Sequence, residues 1–289
     1  MAVAKLEITH DARVRTARVV VPETAVDRPP LLVFYHGSKQ SSSVIRAFTG
    51  RSFDRLAQRL GAVIVYPDGI GRHFNDARAL LPEETRRLGV DDVGFTHALI
   101  HAVADRFGAD PTRVAGLGFS NGGHMAMRML RDAPSTFAAA VIFAATWPAP
   151  GHEVARQPGA AAWQPTPMLF MHGTADPLAP YQGGLVGFGA DHSRGEGLSA
   201  PQTAELFAGW NNAAGQPRLT EPAPGVERAA WAARPGASSA PVELWTLLDT
   251  GHVIPCGVEQ PTTFLGPGTD AIDAAEVTEG FLRRVGFAG

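Results

Sequence analysis

Cysteine is almost absent from the chain: Cys256 is the only one in 289 residues, so no intrachain disulfide can form and the fold must rest on its buried core. Lysine is nearly missing too. Lys5 and Lys39 stand against many arginines, a bias of composition rather than a design for phosphate. There is no dense Lys/Arg run, and a net charge of −3 supplies no field to hold nucleic acid or an anionic membrane. The expected partner is therefore a small or neutral molecule. A hydrophobic fraction of 45% with 18% charged residues excludes both a disordered chain and a membrane-spanning one. The start of the chain, from Met1 through Lys5 and Glu7 to His10, lacks the charged beginning and continuous apolar stretch of a signal peptide. A cytoplasmic location is expected, although a mature secreted chain would read the same way.

What is present alternates. Apolar runs at 31–35, 62–66, 113–119, 138–143, 168–171 and 242–248 read as buried strands, and 13–21 adds an antiparallel edge at the start. Between them apolar residues recur at helical spacing: Phe53, Leu56 and Leu60; Val93, Leu99, Ile100, Val103 and Phe107; and Ile272, Ala275, Phe281, Leu282 and Val285. Asp91 or Asp92 is an expected N-cap for the second helix, and Thr269 or Asp270 for the third. This alternation predicts one α/β domain over 1–289, a mostly parallel central sheet with helices on both faces. Gly/Pro-rich stretches at 69–90, 147–167 and 180–200 follow strand ends, where ligands bind in open α/β sheets. A further stretch, 222–241, is expected to be an exposed loop.

Gly118-Phe119-Ser120-Asn121-Gly122 matches G-x-S-x-G, in which a tight turn between strand and helix lifts a serine hydroxyl above the sheet. In a glycine-rich chain the bare pattern is weak, but here a strand precedes it and Met125, Met129 and Leu130 follow at helical spacing. A serine needs a histidine base, and that histidine needs a carboxylate to hold its tautomer. Asp176 follows the 168–171 strand and His252 follows the 242–248 strand, which keeps the chain order of Ser, Asp and His usual for such an elbow. Asn121 and Ser38 are the expected backbone donors of an oxyanion hole, with Lys39 as the alternative to Ser38. His97 and His101 are spaced i, i+4, but Ala98 stands where a zinc protease needs glutamate, so no metal role is expected. Asp68, Asp76, Asp91 and Asp92 could compete with Asp176, but caps and turns account for them.

Together with Tyr35-His36-Gly37, Val65-Tyr66-Pro67-Asp68-Gly69, Asn75-Asp76, Asp91-Asp92-Val93, His172-Gly173-Thr174-Ala175-Asp176-Pro177, Tyr181 and Gly251-His252, the elbow resembles the polyhydroxybutyrate depolymerase-like esterases. These are relatives of the feruloyl and acetylxylan esterases within the α/β-hydrolase fold. The resemblance implies a serine carboxylic-ester hydrolase without a cofactor, acting on a small-molecule or oligomeric ester. It departs at Ser38, where such enzymes often carry Cys, and at Ile254, where they often carry Trp. Asn75, Asp76, Tyr181 and Ile254 are expected to touch substrate, and the missing aromatic at Ile254 predicts a preference for short aliphatic or hydroxyalkanoate esters. The alternatives are a feruloyl or acetylxylan esterase, a peptidase or amidase of the same fold, and a catalytically silent binding protein.

Overall fold

Alternation inside the apolar runs decides the layering. Leu31, Val33 and Tyr35 pack into one buried cluster and Leu32 and Phe34 into another, as a strand covered on both faces requires. The computed structural model describes residues 1–23, 27–187, 193–258 and 262–287. Its strands are β1 (Ala2–His10), β2 (Arg13–Val21), β3 (Leu31–Tyr35), β4 (Val63–Pro67), β5 (Val114–Phe119), β6 (Ala139–Phe143), β7 (Met168–Gly173), β8 (Gly184–Gly187), β9 (Ser193–Gly197), β10 (Arg218–Ala223), β11 (Val226–Trp231) and β12 (Val242–Leu247). The helices are α1 (Ser42–Phe48), α2 (Ser52–Leu60), α3 (Glu84–Arg87), α4 (Asp92–Phe107), α5 (Asn121–Asp132), α6 (Ala200–Trp210) and α7 (Ala274–Arg284).

Ten strands form one sheet in the order β1-β2-β4-β3-β5-β6-β7-β12-β11-β10, and β8 with β9 makes a separate ribbon. The run from β4 to β12 is parallel, flanked by antiparallel strands at both ends. Apolar residues of α4, α5 and α6 fill one face, and those of α1, α2 and α7 fill the other. No helix among the described residues is long and apolar enough to cross a membrane.

Three expectations are corrected. The 13–21 strand is not the edge, because β1 pairs with it along its whole length through a turn whose residues Asp11 and Ala12 both have positive φ. The stretch 222–241 is not all loop: a turn at Gly225, φ 73°, joins β10 to β11, and β11 extends the sheet beside β12. Only the ends of β11, Val226 and Trp231, are buried, so the segment lacks a strong apolar run. Finally, Asp91 does cap α4, accepting the Gly94 N–H at 2.8 Å, but α7 is capped by Asp273, past the residues expected.

Candidate active site

β5 enters α5 through Ser120, whose backbone lies at φ 54°, ψ −117°, a conformation that costs a non-glycine residue about 1–3 kcal/mol. Its neighbours explain why the turn closes. A Cβ on Gly118 would lie 2.1 Å from the Gly122 carbonyl oxygen, and one on Gly122 would lie 2.2 Å from that of Tyr35. The Ser120 N–H donates to the Phe143 carbonyl at 2.9 Å, tying the turn to β6. Ser120 lines a cavity of about 470 Å³.

The loops that carry Asp176 and His252 leave adjacent parallel strands, with Gly173 of β7 opposite Leu247 of β12. Two backbone bonds of 2.9 Å, Thr174 N–H to Leu247 and Ala175 N–H to Thr250, continue the pairing past the strand ends. A Cβ on Gly173 would meet the Thr250 carbonyl oxygen at 2.1 Å, so only glycine allows this approach. Asp176 Oδ2 consequently reaches His252 Nδ1 at 2.7 Å. The other oxygen, Oδ1, accepts the N–H groups of Leu178 and Ala179, each at 2.8 Å. Burial works against ionisation of Asp176, but His252 and His172 outweigh it and hold the carboxyl well below the usual carboxylate range. His172 Nε2 donates to the Ala179 carbonyl at 2.7 Å and lies 3.3 Å from Asp176 Oδ2, so it shapes the acid loop. A carboxylate only accepts, so Nδ1 of His252 carries the proton and Nε2 is left as the basic nitrogen. His252 lines the same cavity as Ser120 and packs on Phe119, ring centroids 4.9 Å apart.

In the loop after β3, the Lys39 N–H donates to the Arg72 carbonyl at 3.0 Å, and Gly37 and Gln40 bond to each other. Ser38, which lines the cavity, keeps its N–H outside this bonding, whereas Lys39 does not. Asn121 opens α5, where a backbone N–H has no partner within the helix. Its side chain instead braces the elbow from behind, exchanging bonds of 2.8 and 2.9 Å with the Phe74 backbone and donating to Asp76 at 2.6 Å.

His36 fastens the Ser38 loop. Its Nδ1–H donates to the Gly37 carbonyl at 2.7 Å and its Nε2 accepts the Gly69 N–H at 3.1 Å, an arrangement that requires the neutral ring. Burial pushes its pKa down to about 4. The unfolded chain then binds a proton that the folded chain refuses. Stability is complete above the ordinary histidine value of about 6.5 and falls as the pH drops toward 4, by about 2 kcal/mol at pH ~5. Urea midpoints at neutral and mildly acidic pH measure this loss. A His36→Asn variant is expected to lose less between the two conditions than the wild type, and equal losses would clear His36 as the source.

The residues expected to touch substrate are not on the cavity wall. Asn75 is buried, its side chain donating to the Val90 carbonyl at 2.8 Å. Asp76 is buried against Arg78 and Asn121. Ile254 lies in the core on the α7 side of the sheet, so the aromatic missing there says nothing about stacking in the cavity. Tyr181 bonds to Thr246 at 2.7 Å and faces a different depression, beside β11 and β12. The wall holds residues that the sequence reading did not assign to substrate: Arg78, His124, Arg194 and Phe264. Arg78 lies two positions past Asp76, so the right segment was found but the wrong side chain. Arg194 sits in the 180–200 stretch, of which 188–192 fall outside the described residues. His97 meets Thr136 Oγ1 at 2.9 Å, and among the described residues no cluster of three or more His, Cys, Asp or Glu could hold a metal ion.

Sheet order, helices on both faces and the strained serine turn give this chain the α/β-hydrolase fold. The model of the family described as Esterase PHB depolymerase matches residues 15–153, a span with Ser38 and the elbow but without Asp176 and His252. The chain is similar to the "Putative esterase NocK" of Nocardia uniformis subsp. tsuyamanensis, 29% identical over 180 residues, 61% of this chain and 49% of the relative. It is also similar to feruloyl esterase B of Thermothelomyces thermophilus, 26% identical over 223 residues, 74% of this chain and 75% of the relative. The match thus spans about half the length of the first relative. Among solved structures, the acetyl xylan esterase from Aspergillus awamori shares the fold, with a TM-score of 0.65 and 15% identity over 99% of this chain and 100% of that one.

Proposed function

We propose that the protein hydrolyses carboxylic esters through an acyl-enzyme on Ser120. The observation that carries this reading is the buried Asp176–His252 pair, 2.7 Å apart, on the wall of the cavity that Ser120 enters from its strained turn. Ser120 Oγ attacks the ester carbonyl carbon as His252 Nε2 takes its proton, and Asp176 holds the ring and stabilises its charged form. The developing oxyanion is held by the N–H groups of Asn121 and Ser38. His252 returns the proton to the departing alcohol, and water activated by the same nitrogen releases the acid. The cycle draws on no cofactor.

Leu178, Val186 and Leu265 give the cavity apolar walls, which suits short aliphatic or hydroxyalkanoate acyl groups. Phe264 also lines it and is 72% exposed, so an aromatic acyl group, as in the feruloyl esterase relative, is the second reading. An active-site phosphonate followed by peptide mass spectrometry tests the chemistry: the adduct is expected on Ser120, and an adduct on another serine would reassign the nucleophile. Acetyl, 3-hydroxybutyryl and feruloyl esters of one alcohol then decide between the two acyl classes.

A further inference from the structure

The titratable side chains on the wall of the Ser120 cavity are all basic: Lys39, Arg78, Arg194, His124 and His252. No carboxylate lines it among the described residues. In a chain of net charge −3 this is a local inversion of the overall balance.

The two arginines are built into the wall rather than draped over it, their side chains only 5% and 14% exposed. Arg78 turns Nε and Nη2 to Asp76, and Arg194 turns the same two nitrogens to Glu83. In both, Nη1 stays outside the pair. Asp76 and Glu83 do not reach the cavity wall; they stand behind the guanidiniums and fix the direction of each rigid fork. His124 completes the wall. It is buried, its Nδ1 has no hydrogen-bond partner, and burial together with the two arginines keeps the ring neutral against the pull of Asp76. A neutral ring beside two guanidiniums can give or accept a hydrogen bond without adding charge.

Each arginine keeps its Nη1 donors outside its ion pair, two donor groups for the two oxygens of one carboxylate, and charge-assisted bonds of this type outweigh neutral ones. We infer that this wall is a carboxylate-binding subsite, and that the preferred esters carry a second, ionised carboxyl group, as in hydroxy-acid oligomers with a free acid end or half-esters of dicarboxylic acids. The inference rests on the ester-hydrolase reading and names its substrate class.

The test is a matched pair: the 3-hydroxybutyrate dimer with its acid end free, and the same dimer with that end as a primary amide. The free acid is expected to be cleaved with a kcat/KM about tenfold or more above the amide. That ratio should shrink at ~1 M salt, where charges are screened beyond ~3 Å. Arg194 is the residue to change first, since removing Arg78 would strand the buried Asp76 charge and endanger the fold. Arg194→Gln is expected to lower the acid-to-amide ratio mainly through KM, and Arg194→Lys to restore part of it. Equal cleavage of acid and amide, or a ratio unmoved by Arg194→Gln, overturns the subsite and leaves ester hydrolysis standing. If neither dimer is cleaved and Ser120 takes no phosphonate, both readings fall. If Ser120 is labelled yet neither dimer turns over, protection of Ser120 by the free acid and not by the amide supports the subsite, and equal protection overturns it.

Discussion

If the proposed chemistry holds, Ser120→Ala is expected to lower kcat for ester hydrolysis by about 10⁵ to 10⁶, the scale seen when the nucleophile of a serine triad is removed. The size follows from the chemistry. Without Oγ there is no acyl-enzyme, and His252 has no proton to take. The fold should tolerate the change, because Ser120 is only partly buried and its side chain caps nothing. Urea midpoints within about 0.5 kcal/mol of the wild type are expected, as for substitutions away from core contacts. Turnover that survives the substitution, measured on purified protein with a folded-state midpoint, would remove Ser120 from the chemistry.

Asp176→Asn should lower kcat by about 10⁴, the loss recorded when an amide replaces the triad acid and presents the wrong tautomer to the base. Here the geometry makes that outcome specific. Oδ2 meets His252 Nδ1 at 2.7 Å while Oδ1 is held by two backbone N–H groups, so the amide oxygen is drawn to the N–H pair and its NH₂ is left facing the ring. His252 then accepts on Nδ1 and carries its proton on Nε2, toward Ser120, where it cannot act as a base. Asp76→Asn should behave differently. Asp76 neutralises the buried Arg78 and braces Asn121, and breaking such a pair costs about 3–5 kcal/mol of stability. Saturation kinetics and urea midpoints on both variants separate the two signatures. Small, equal losses of kcat with unchanged midpoints would mean that neither carboxylate does what its surroundings indicate.

The contrast between Asp176 and Asp76 also shows what could be read from the chain before the fold. The parallel strands were legible because strands buried on both faces are continuous apolar runs. The elbow was legible because its glycines answer a local clash, Gly118 against Gly122 and Gly122 against Tyr35. Placement along the chain put Asp176 and His252 just past strand ends, and the structure makes those strands neighbours. Facing was not legible. Nearness to a rim does not say which way a side chain turns, so Asn75, Asp76, Tyr181 and Ile254 were assigned to a wall that belongs to Arg78, His124, Arg194 and Phe264. Charge misled in the same way, since a total of −3 says nothing of a cavity whose acids stand behind its arginines. The β10–β11 hairpin was missed because its faces are largely exposed.

The approach of Gly173 to Thr250 separates two things an enzyme must adjust. The span between acid and base is gauged by backbone against backbone, a contact that no exchange of cavity side chains can lengthen. On the proposed chemistry, Phe264, Leu178 and Val186 can therefore be exchanged to admit a different acyl group while the Asp176–His252 spacing stays in calibration. The reverse does not hold: alanine at Gly173 would push the two loops apart and detune the relay for every substrate alike, however well each still fits.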